Sequence, residues 1–229
     1  MRRPQILAID DEPALLRIIK DFLHSSYDVS LVENAKDAFA SILDRKPDLI
    51  LIDNIMPGLS GIEFVREIRS ASHTRNIPII MVTALKESID RIDAYKAGVD
   101  DFISKPFNPD ELLVRVESKL LRQKIIEKQP TKSLILGNLK IDSKNHDLRI
   151  NGELIHLTQV ELKIIEKLIT EKNQIVKRET LERLIWPDNI PEARILDIHI
   201  TTLRKKIKNF DHKIETIYGK GYLIRSLEK

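Results

Sequence analysis

The stretch PDLILIDNIMP, residues 47–57, determines how the first half of the chain is interpreted. Four consecutive apolar residues, Leu49 to Ile52, predict a short strand that is buried on both faces, as in a parallel sheet. Such a strand offers a carboxylate a hydrated position only at its end, where Asp53 stands. Ligands of open α/β sheets bind beyond the carboxyl ends of the strands, so Asp53 is a candidate site residue. A strand-ending aspartate can also simply cap the next turn, and the rest of the chain has to separate the two interpretations.

Length and composition limit the possible classes of protein. The 229 residues, 42% hydrophobic and 32% charged, are enough for one large or two ordinary globular domains. The absence of cysteine excludes disulfides and thiolate metal sites and fits a cytoplasmic protein. Apolar runs are no longer than a strand, and residues 1–4 lead into a strand rather than a signal peptide, so we expect no membrane segment.

Charge is distributed unevenly along the chain. Residues 1–120 carry 16 lysines and arginines against 20 acidic residues, a net charge of −4. Residues 121–229 carry 22 against 15, a net charge of +7. This asymmetry indicates two domains, the second of which faces a polyanion such as nucleic acid.

The first domain, residues 1–122, alternates five times between a strand pattern and a helix pattern. This alternation predicts an α/β fold with a doubly wound, five-stranded parallel sheet. Polar residues follow four of the strands, and parallel strands end at the same edge of a sheet. At that edge we therefore expect five side chains to converge: Asp10, Asp11, Asp53, Thr83 and Lys105.

The residue types at this edge indicate phosphoryl transfer. Three converging carboxylates repel one another and need a cation, and their hard oxygen ligands suit Mg²⁺. Lys105 supplies a fixed positive charge and Thr83 a hydroxyl donor, which fits chemistry based on positioning and charge neutralisation. Asp53, at the centre, is then the nucleophile that forms an acyl phosphate.

These motifs together resemble the flavodoxin-like receiver domain of bacterial response regulators. The resemblance covers residues 1–122, and its segments are Asp10-Asp11-Glu12, Asp53 with Met56-Pro57-Gly58, Thr83-Ala84, and Lys105-Pro106-Phe107. It implies that a sensor histidine kinase donates a phosphoryl group from a phosphohistidine to the phosphoacceptor Asp53. It also implies a Mg²⁺ site formed by Asp10, Asp11, Asp53 and the backbone carbonyl of Ile55.

The resemblance implies roles for three further residues. Thr83 and Lys105 hold the phosphoryl oxygens, and Phe102 matches an aromatic switch position whose ring turns inward as Thr83 moves. The bond before Pro106 is commonly cis in the family. Each residue singly has a simpler interpretation, since Thr83 can merely end a strand, Phe102 belong to the core and Lys105 be a solvated charge.

The receiver resemblance also implies a dimer that forms on phosphorylation. Three ion pairs across a two-fold axis are expected, Arg91–Glu111, Asp101–Arg115 and Asp100–Arg122. The alternative is that these are solvated surface charges, each pair contributing roughly 0–1 kcal/mol. A symmetric interface uses every pair twice, so the pairs can specify register even at modest affinity.

The second half of the chain predicts an α+β domain after a polar linker at 123–133, whose first turn can continue the preceding helix. The preceding helix is expected to end near Arg122, and strands are expected at 134–141, 147–150 and 153–157. Asn151-Gly152 is a hairpin signal, and Thr158 with Glu161 forms a capping box that opens a helix. A second helix contains Trp186, a third spans about 192–208, and a hairpin closes the domain around residues 219–221.

This order resembles the winged helix-turn-helix effector domain of the OmpR/PhoB family, over residues 134–229. It implies that the third helix enters the major groove of promoter DNA and that the hairpin wing contacts the backbone or minor groove. It offers the 187–191 loop as a contact for RNA polymerase. The candidate DNA-binding residues are Arg194, Asp197, His199, Thr201, Thr202, Arg204, Lys205, Lys206, Lys208, Thr216, Tyr218, Lys220 and Tyr222.

Several positions depart from the family pattern or have a second interpretation. Thr201 and Thr202 stand where the family often has arginine, and Tyr218 stands at a wing position that is usually arginine, for which Lys220 is a substitute. Threonine cannot read guanine bidentately, so the usual base contacts do not carry over. His199 is either ordinary packing or a phosphate contact. The basic run 204–206 is either a DNA contact or a solvated helix end that suits the helix dipole. In the receiver, Asn54 replaces a common apolar residue.

We therefore interpret the chain as a phosphorylation-dependent transcriptional regulator of a two-component system, and not as an enzyme. One alternative is a Mg²⁺-dependent phosphatase that uses Asp53 covalently, but the sequence lacks the second general acid of Asp-x-Asp phosphatases. The other is a DNA-binding protein that works without phosphorylation. The intact acidic pair, Thr83 and Lys105 argue against it.

Overall fold

The computed structural model describes residues 2–71, 73–84, 88–128, 133–142, 147–187 and 194–227, with the backbone alone at 88–90 and 122–128. These residues form two compact units that divide after Ile125. No helix in the described part of the chain is both long and apolar enough to cross a membrane.

The first unit is an α/β sheet structure that confirms the predicted architecture. Its strands are all parallel, in the order β2-β1-β3-β4-β5. The elements in chain order are β1 (Gln5–Ile9), α1 (Pro13–Leu23), β2 (Asp28–Val32), α2 (Ala35–Asp44), β3 (Leu49–Ile52), α3 (Gly61–Ser70), β4 (Ile79–Thr83), α4 (Ser88–Ala97), β5 (Asp101–Ser104) and α5 (Pro109–Lys128).

Burial follows the position of each strand in the sheet. Every residue of β1, β3 and β4 is buried, as predicted for central strands that are covered on both faces. The outer strand β2 instead alternates at its start between exposed and buried positions. Local sequence also explains two helix starts, because the Asn34 side chain accepts a hydrogen bond from the backbone N–H of Asp37 and Ser60 forms a capping box with Glu63.

Helix α5 continues six residues beyond the predicted end near Arg122. It reaches Lys128, so residues 123–128 of the expected linker are helical. The sequence QKIIEK there consists of residues compatible with a helix, and the next proline is Pro130. The lack of a periodic apolar face predicts a linker that is helical in its first turn at most, whereas helix propensity alone allows the helix to reach Lys128.

The second unit contains two small antiparallel sheets and three helices, which confirms an α+β winged-helix domain. One sheet has the order β6-β7-β8-β9 and the other β10-β12-β11. The elements are β6 (Ser133–Leu136), β7 (Leu139–Asp142), β8 (Asp147–Ile150), β9 (Glu153–Ile155), α6 (Gln159–Thr170), β10 (Val176–Lys177), α7 (Arg178–Ile185), α8 (Ile195–Lys206), β11 (His212–Ile217) and β12 (Gly221–Ser226).

Several elements of this unit differ from the predictions, and strand β9 ends at Ile155 rather than at residue 157. The expected strand 134–141 is two strands separated by a turn at Gly137, whose φ is +55° and whose Cβ position would lie 2.1 Å from the Asp211 carboxylate. Helix α8 starts at Ile195 and ends at Lys206, inside the predicted 192–208. Strand β10 was not predicted because two residues carry no periodicity, and it exists through its pairing with β12.

Candidate functional site

Three carboxylates meet at the carboxyl edge of the parallel sheet. Asp10 follows β1 and Asp53 follows β3, and both are buried, whereas Asp11 is exposed. Each of the three offers an oxygen atom, and these oxygens all lie within 4.8 Å of one another. The structure therefore brings together the predicted acidic residues.

Lys105, which follows β5, joins two of these carboxylates. Its Nζ donates to Asp10 Oδ2 and to Asp53 Oδ2, each at 2.7 Å. Burial lowers the pKa of Lys105, but the hydrogen bonds and charges of the two aspartates outweigh it, and the net pKa is raised. The bond between Lys105 and Pro106 is cis, as the family resemblance implied.

Burial also affects Asp10 itself. It raises the pKa of this carboxyl group, although hydrogen bonds from Lys105 and from the backbone N–H of Glu12 oppose the effect. With all three carboxylates ionised, the aspartates and Lys105 together carry a charge of −2. A divalent cation would neutralise this charge, and the all-oxygen donor set suits Mg²⁺. The residues present thus fit the expected metal.

The loop after β3 explains the unusual Asn54. Its backbone carbonyl oxygen accepts a hydrogen bond from the backbone N–H of Gly61 at 2.9 Å, and its side-chain Oδ1 accepts one from the backbone N–H of Ile62 at 3.1 Å. Both donors belong to the first turn of α3, where backbone N–H groups lack helical partners. Gly61 has to approach closely, because a Cβ there would lie 2.2 Å from the carbonyl oxygen of Asp53. Asn54 therefore connects the loop after Asp53 to α3, and an apolar residue could not form the second of these hydrogen bonds.

Thr83 and Phe102 lie on neighbouring strands, β4 and β5. Thr83 is buried, and its Oγ1 has no hydrogen-bond partner within the described ranges. Phe102 is also buried, with its ring centroid 4.8 Å from that of Tyr95 and the Arg91 guanidinium 5.9 Å from its centroid. An unpaired buried hydroxyl beside an acidic site is available to a ligand, whereas the Phe102 ring occupies an inward position.

The candidate DNA-binding residues differ in their exposure and in the contacts that they already form within the second unit. Tyr218 has 93% of its surface exposed, at the tip of the β11–β12 hairpin. The exposed candidates are Arg194, Asp197, Thr201, Lys205, Lys208, Thr216, Tyr218 and Lys220, and Thr202 is partly exposed. These side chains extend from α8, from the residues that flank it and from the hairpin, the two elements that the family resemblance assigns to DNA.

Two basic residues of the run at 204–206 hold the unit together. Arg204 donates to the carbonyl oxygen of Ile214 and to Thr216 Oγ1, both at 2.9 Å, and so joins α8 to β11. Lys206 donates at 2.7 Å to Glu161, the buried capping-box residue of α6. These contacts correct the prediction that the whole run neutralises DNA phosphates, since only Lys205 of the three has an exposed side chain.

Asp197 and Tyr222 are partners of Arg178, a residue that the sequence interpretation missed. Arg178 donates to Asp197 Oδ1 at 3.0 Å and to Glu182 at 2.7 Å, and the Tyr222 hydroxyl donates to Asp197. Tyr222 is buried, so it is not a DNA contact in this structure. The Arg178–Glu182 spacing of four residues was a visible signal for part of this network.

His199 is a packing residue. It is 2% exposed, and its ring lies against Trp186 with the centroids 5.8 Å apart. Burial, with a smaller effect from the charge of Lys206, lowers the pKa of His199 to about 3, so the ring is neutral at pH 7. A buried neutral ring cannot reach a phosphate, which corrects the inclusion of His199 among the DNA contacts.

The charges expected at a dimer interface are largely paired within the chain. Arg115 donates to Asp101 Oδ1 at 2.9 Å and to Glu111 Oε1 at 2.6 Å, and Lys119 lies 3.1 Å from Asp101. Both Asp101 and Arg115 are buried. Strand β5 and helix α5 thus satisfy these charges without a second molecule.

The other predicted interface residues have separate environments. Asp100 is 3% exposed, pairs with Arg69 at 2.8 Å and accepts from the backbone N–H of Ile79, which corrects its assignment to the surface. Arg91 donates to Ser104 Oγ at 2.6 Å. The side chain of Arg122 lies outside the described residues.

Comparison with known proteins identifies both halves of the chain. Residues 6–117 match the response regulator receiver domain, and residues 152–224 match the transcriptional regulatory protein C-terminal domain. Response regulator ArlR of Staphylococcus aureus (strain Mu50) is 34% identical over 226 residues, covering 96% of this chain and 99% of ArlR. DNA-binding response regulator MtrA of Mycolicibacterium smegmatis is 31% identical over 225 residues, covering 96% of each chain.

Solved structures agree with this assignment. Response regulator DrrB, described as a Thermotoga maritima OmpR/PhoB homolog, is 27% identical with a TM-score of 0.52, over 98% of this chain and all of that one. A mutant of RitR has a TM-score of 0.81 over the same shares at 22% identity, which supports the fold alone. The two relatives are thus named as response regulators, and MtrA as a DNA-binding one. The chain therefore belongs to the OmpR/PhoB family of two-component response regulators, in which a receiver domain is joined to a DNA-binding transcriptional regulatory domain.

Proposed function

We propose that a sensor histidine kinase switches this response regulator on by phosphorylating Asp53. The observation that carries the proposal is the convergence of Asp10, Asp11 and Asp53, with their oxygens within 4.8 Å and Lys105 donating to two of them. A carboxylate held between a cation and a metal-binding pair is oriented for attack on phosphorus.

The transfer uses groups that this edge of the sheet already positions. An oxygen of Asp53 attacks phosphorus, the phosphorus–nitrogen bond of the kinase phosphohistidine breaks, and its electron pair stays on the imidazole. Lys105 and the unpaired hydroxyl of Thr83 take up the phosphoryl oxygens. Asp10, Asp11, Asp53 and the backbone carbonyl of Ile55 would hold Mg²⁺, which would neutralise part of the added charge when bound. Movement of Thr83 toward the phosphoryl group is the signal that Phe102 receives.

The same proposal assigns DNA binding to the exposed residues of the second unit. Lys205, Lys208 and Lys220 neutralise phosphates, since their ammonium groups face solvent. Thr201 and Thr202 contact base edges by a hydroxyl and a methyl group. The exposed ring of Tyr218 contacts the minor groove or the backbone where arginine is common in the family. Arg194 and Thr216 complete this surface.

Phosphorylation promotes a receiver dimer in this proposal. Arg91, Asp101, Glu111 and Arg115 remain candidates for the interface, and Arg122 is a further one outside the described side chains. Asp101 and Arg115 would have to exchange their partners within the chain for partners across the two-fold axis. Asp100 is withdrawn because Arg69 already neutralises it in the interior.

Three further assignments complete the proposal. The receiver spans 1–122, a connection 123–133 that begins as helix, and the DNA-binding domain 134–229. A contact with RNA polymerase through the 187–191 loop is retained, although residues 188–191 lie outside the described part. A cytoplasmic location follows from the proposed partners, a kinase phosphohistidine and the chromosome.

The test is Mg²⁺-dependent labelling of the full chain by acetyl phosphate, followed by intact-mass spectrometry. Asp53→Asn is expected to reduce labelling to background, because the amide nitrogen and oxygen are poor nucleophiles. Asp44→Asn, which changes an exposed carboxylate at the end of α2, is the matched control and is expected to label like the wild type. Undiminished labelling of Asp53→Asn, or an equal loss in both variants, would overturn the assignment of Asp53.

A further inference from the structure

A second charged cavity lies at the opposite edge of the parallel sheet from Asp53. Its volume is about 300 Å³, and Gln5 and Asp28, which begin β1 and β2, form part of its wall. The five residues of β1 separate the two edges by about 16 Å, at roughly 3.3 Å per residue. The charged residues that line it are Arg2, Arg3, Lys20, Asp28 and Arg45, and the ring of His24 lies among them. This cavity is therefore distinct from the acidic site.

The lining carries an excess of positive charge. The lining contains a single carboxylate, that of Asp28, against four cations: Arg2 and Arg3 before β1, Lys20 from α1 and Arg45 after α2. A second carboxylate, that of Asp48, lies 3.8 Å from Arg2 beside the cavity. The four cations thus outnumber these two carboxylates by two, although residues 1–120 as a whole have a net charge of −4. A concave surface lined mainly by positive charge attracts anions from solution.

Most of the donors in this cluster are available. Arg45 lies 3.2 Å from Asp28, while Arg3 donates only to the backbone carbonyl of His24, at 3.2 Å. Within the described ranges, neither Arg3 nor Lys20 forms an ion pair with a carboxylate. A guanidinium group has five N–H donors, so both arginines keep donors for a ligand. Arginine forks match the geometry of phosphate oxygens.

A buried polar residue, Gln5, lines the floor of the cavity. Gln5 is 4% exposed, its Nε2 donates to Asp28 Oδ2 at 2.6 Å, and its backbone N–H donates to Asp48 Oδ2 at 2.7 Å. Tyr27, buried beside it, adds an apolar wall. Asp28 also accepts a hydrogen bond from Arg45 at 3.2 Å, so the buried Gln5 is connected through Asp28 to one of the cations.

We propose that this cavity binds a small oligophosphate, namely the di- or triphosphate chain of a nucleotide or a free inorganic oligophosphate. Four permanently cationic side chains around one concave space match an anion with several negative charges. The volume is at the lower end of small-molecule sites, about 300–1,000 Å³. A nucleic acid duplex would instead need an extended basic surface.

The experiment is titration calorimetry of the full chain with sodium tripolyphosphate and, separately, with adenosine triphosphate. Buffers are freed of divalent cations on a chelating resin, so that the three carboxylates at the other edge repel the probe. Saturable 1:1 binding of tripolyphosphate is expected. Equal affinities for the two probes would assign the phosphate chain alone as the ligand, and tighter binding of adenosine triphosphate would assign a nucleotide.

Matched double variants locate the site. Arg3→Gln with Arg45→Gln is expected to weaken tripolyphosphate binding by at least about tenfold, since it removes two charge-assisted contacts. Lys205→Gln with Lys208→Gln removes the same charge from the basic second unit and is expected to leave this affinity unchanged. Lys20→Gln, at an exposed position, is expected to weaken binding by about threefold and provides a second measurement if the arginine pair impairs folding. Absence of saturable binding, or an equal or larger loss in the Lys205 and Lys208 variant, would overturn the proposal.

Discussion

The acidic edge of the receiver sheet and helix α8 of the second unit both carry clustered charges, but the two clusters differ in what the rest of the chain does with them. At the acidic edge, three carboxylates share one ammonium group, and a charge of −2 remains. On α8, Arg204 and Lys206 are already bound to β11 and to α6. Charges that have no partner within the chain indicate a ligand site. Charges that are already paired within the chain instead stabilise the fold.

The face formed by β5 and α5 gives the strongest test of this distinction. Arg115→Glu places an acid beside Asp101 and Glu111 in a buried site, and we expect the free energy of unfolding to fall by about 3–5 kcal/mol. Urea denaturation followed by circular dichroism measures the change. Lys96→Glu, which removes a half-exposed pair with Asp93, is the control and is expected to cost roughly 0–1 kcal/mol.

The partner of Arg115 can be identified by combining variants. Arg115→Glu with Asp101→Arg in one chain is expected to recover part of the lost stability if the pair is within the chain. A mixture of the Arg115→Glu chain and the Asp101→Arg chain can restore opposite charges only between two molecules. If these residues pair across a dimer interface, the mixture should form a dimer under phosphorylating conditions, and analytical ultracentrifugation would detect it. If the double variant is no more stable than Arg115→Glu, the intrachain pair does not stabilise this face.

His199 tests whether a residue of α8 belongs to the core. Because its pKa is lowered to about 3 in the folded state from 6.5, the unfolded chain binds a proton first as pH falls. The contribution of neutral His199 to the free energy of unfolding is therefore fully present above pH 6.5 and is lost as the pH falls toward 3. Between pH 7 and pH 5 this contribution decreases by about 2 kcal/mol. Fluorescence of Trp186, the one tryptophan in the chain, reports unfolding of this unit.

His199→Leu is the comparison variant for that measurement. It keeps a buried apolar side chain of similar size but cannot take up a proton, so this component of the pH dependence should disappear. Equal slopes of stability against pH in the two proteins would show that His199 is accessible to protons in the folded state and would return it to the candidate DNA contacts.

Neighbouring lysines on α8 offer a matched pair. Lys205→Gln is expected to weaken binding to a random-sequence duplex by about 1 kcal/mol and to reduce the slope of log affinity against log salt by about 0.9, without a change in stability. Lys206→Gln is expected to lower the free energy of unfolding by about 1–2 kcal/mol, since it leaves Glu161 buried without its cation. Salt-dependent fluorescence anisotropy and urea denaturation separate the two. A reduced salt slope in both variants would mean that Lys206 leaves Glu161 to contact DNA.

The smallest effect is expected at the acidic edge itself. Burial raises the pKa of Asp10 above its unfolded value of 3.8, so the folded chain holds this proton to higher pH and ionisation of Asp10 costs stability at neutral pH. Asp10→Asn is expected to raise the free energy of unfolding in Mg²⁺-free buffer by up to about 1 kcal/mol. Asp11→Asn, at the exposed carboxylate, should change it by less than about 0.5 kcal/mol. Destabilisation by Asp10→Asn would show that its hydrogen bonds outweigh the charge repulsion.

Local sequence patterns are sufficient to predict the architecture of the receiver and the composition of its acidic edge. Apolar runs such as Leu49–Ile52 locate the strands, and parallel strands have to end at one edge, so Asp10, Asp53, Thr83 and Lys105 converge as a matter of topology. Capping residues such as Asn34 and Thr158 are likewise local signals, and the structure confirms both. The end of α5 was misjudged, because a helix without a periodic apolar face gives little signal in the sequence.

Which charged residues are already neutralised depends instead on contacts between elements that are distant in the sequence. Lys206 and Glu161 are 45 positions apart, and Arg69 and Asp100 are 31 apart, so no local pattern pairs them. The roles of Asn54 at the start of α3 and of Arg178 beside Asp197 also depend on contacts between separate elements. Local sequence patterns predict the backbone geometry of each element. Neutralisation of a charge depends on which side chain, distant in the sequence, the fold places within hydrogen-bond distance.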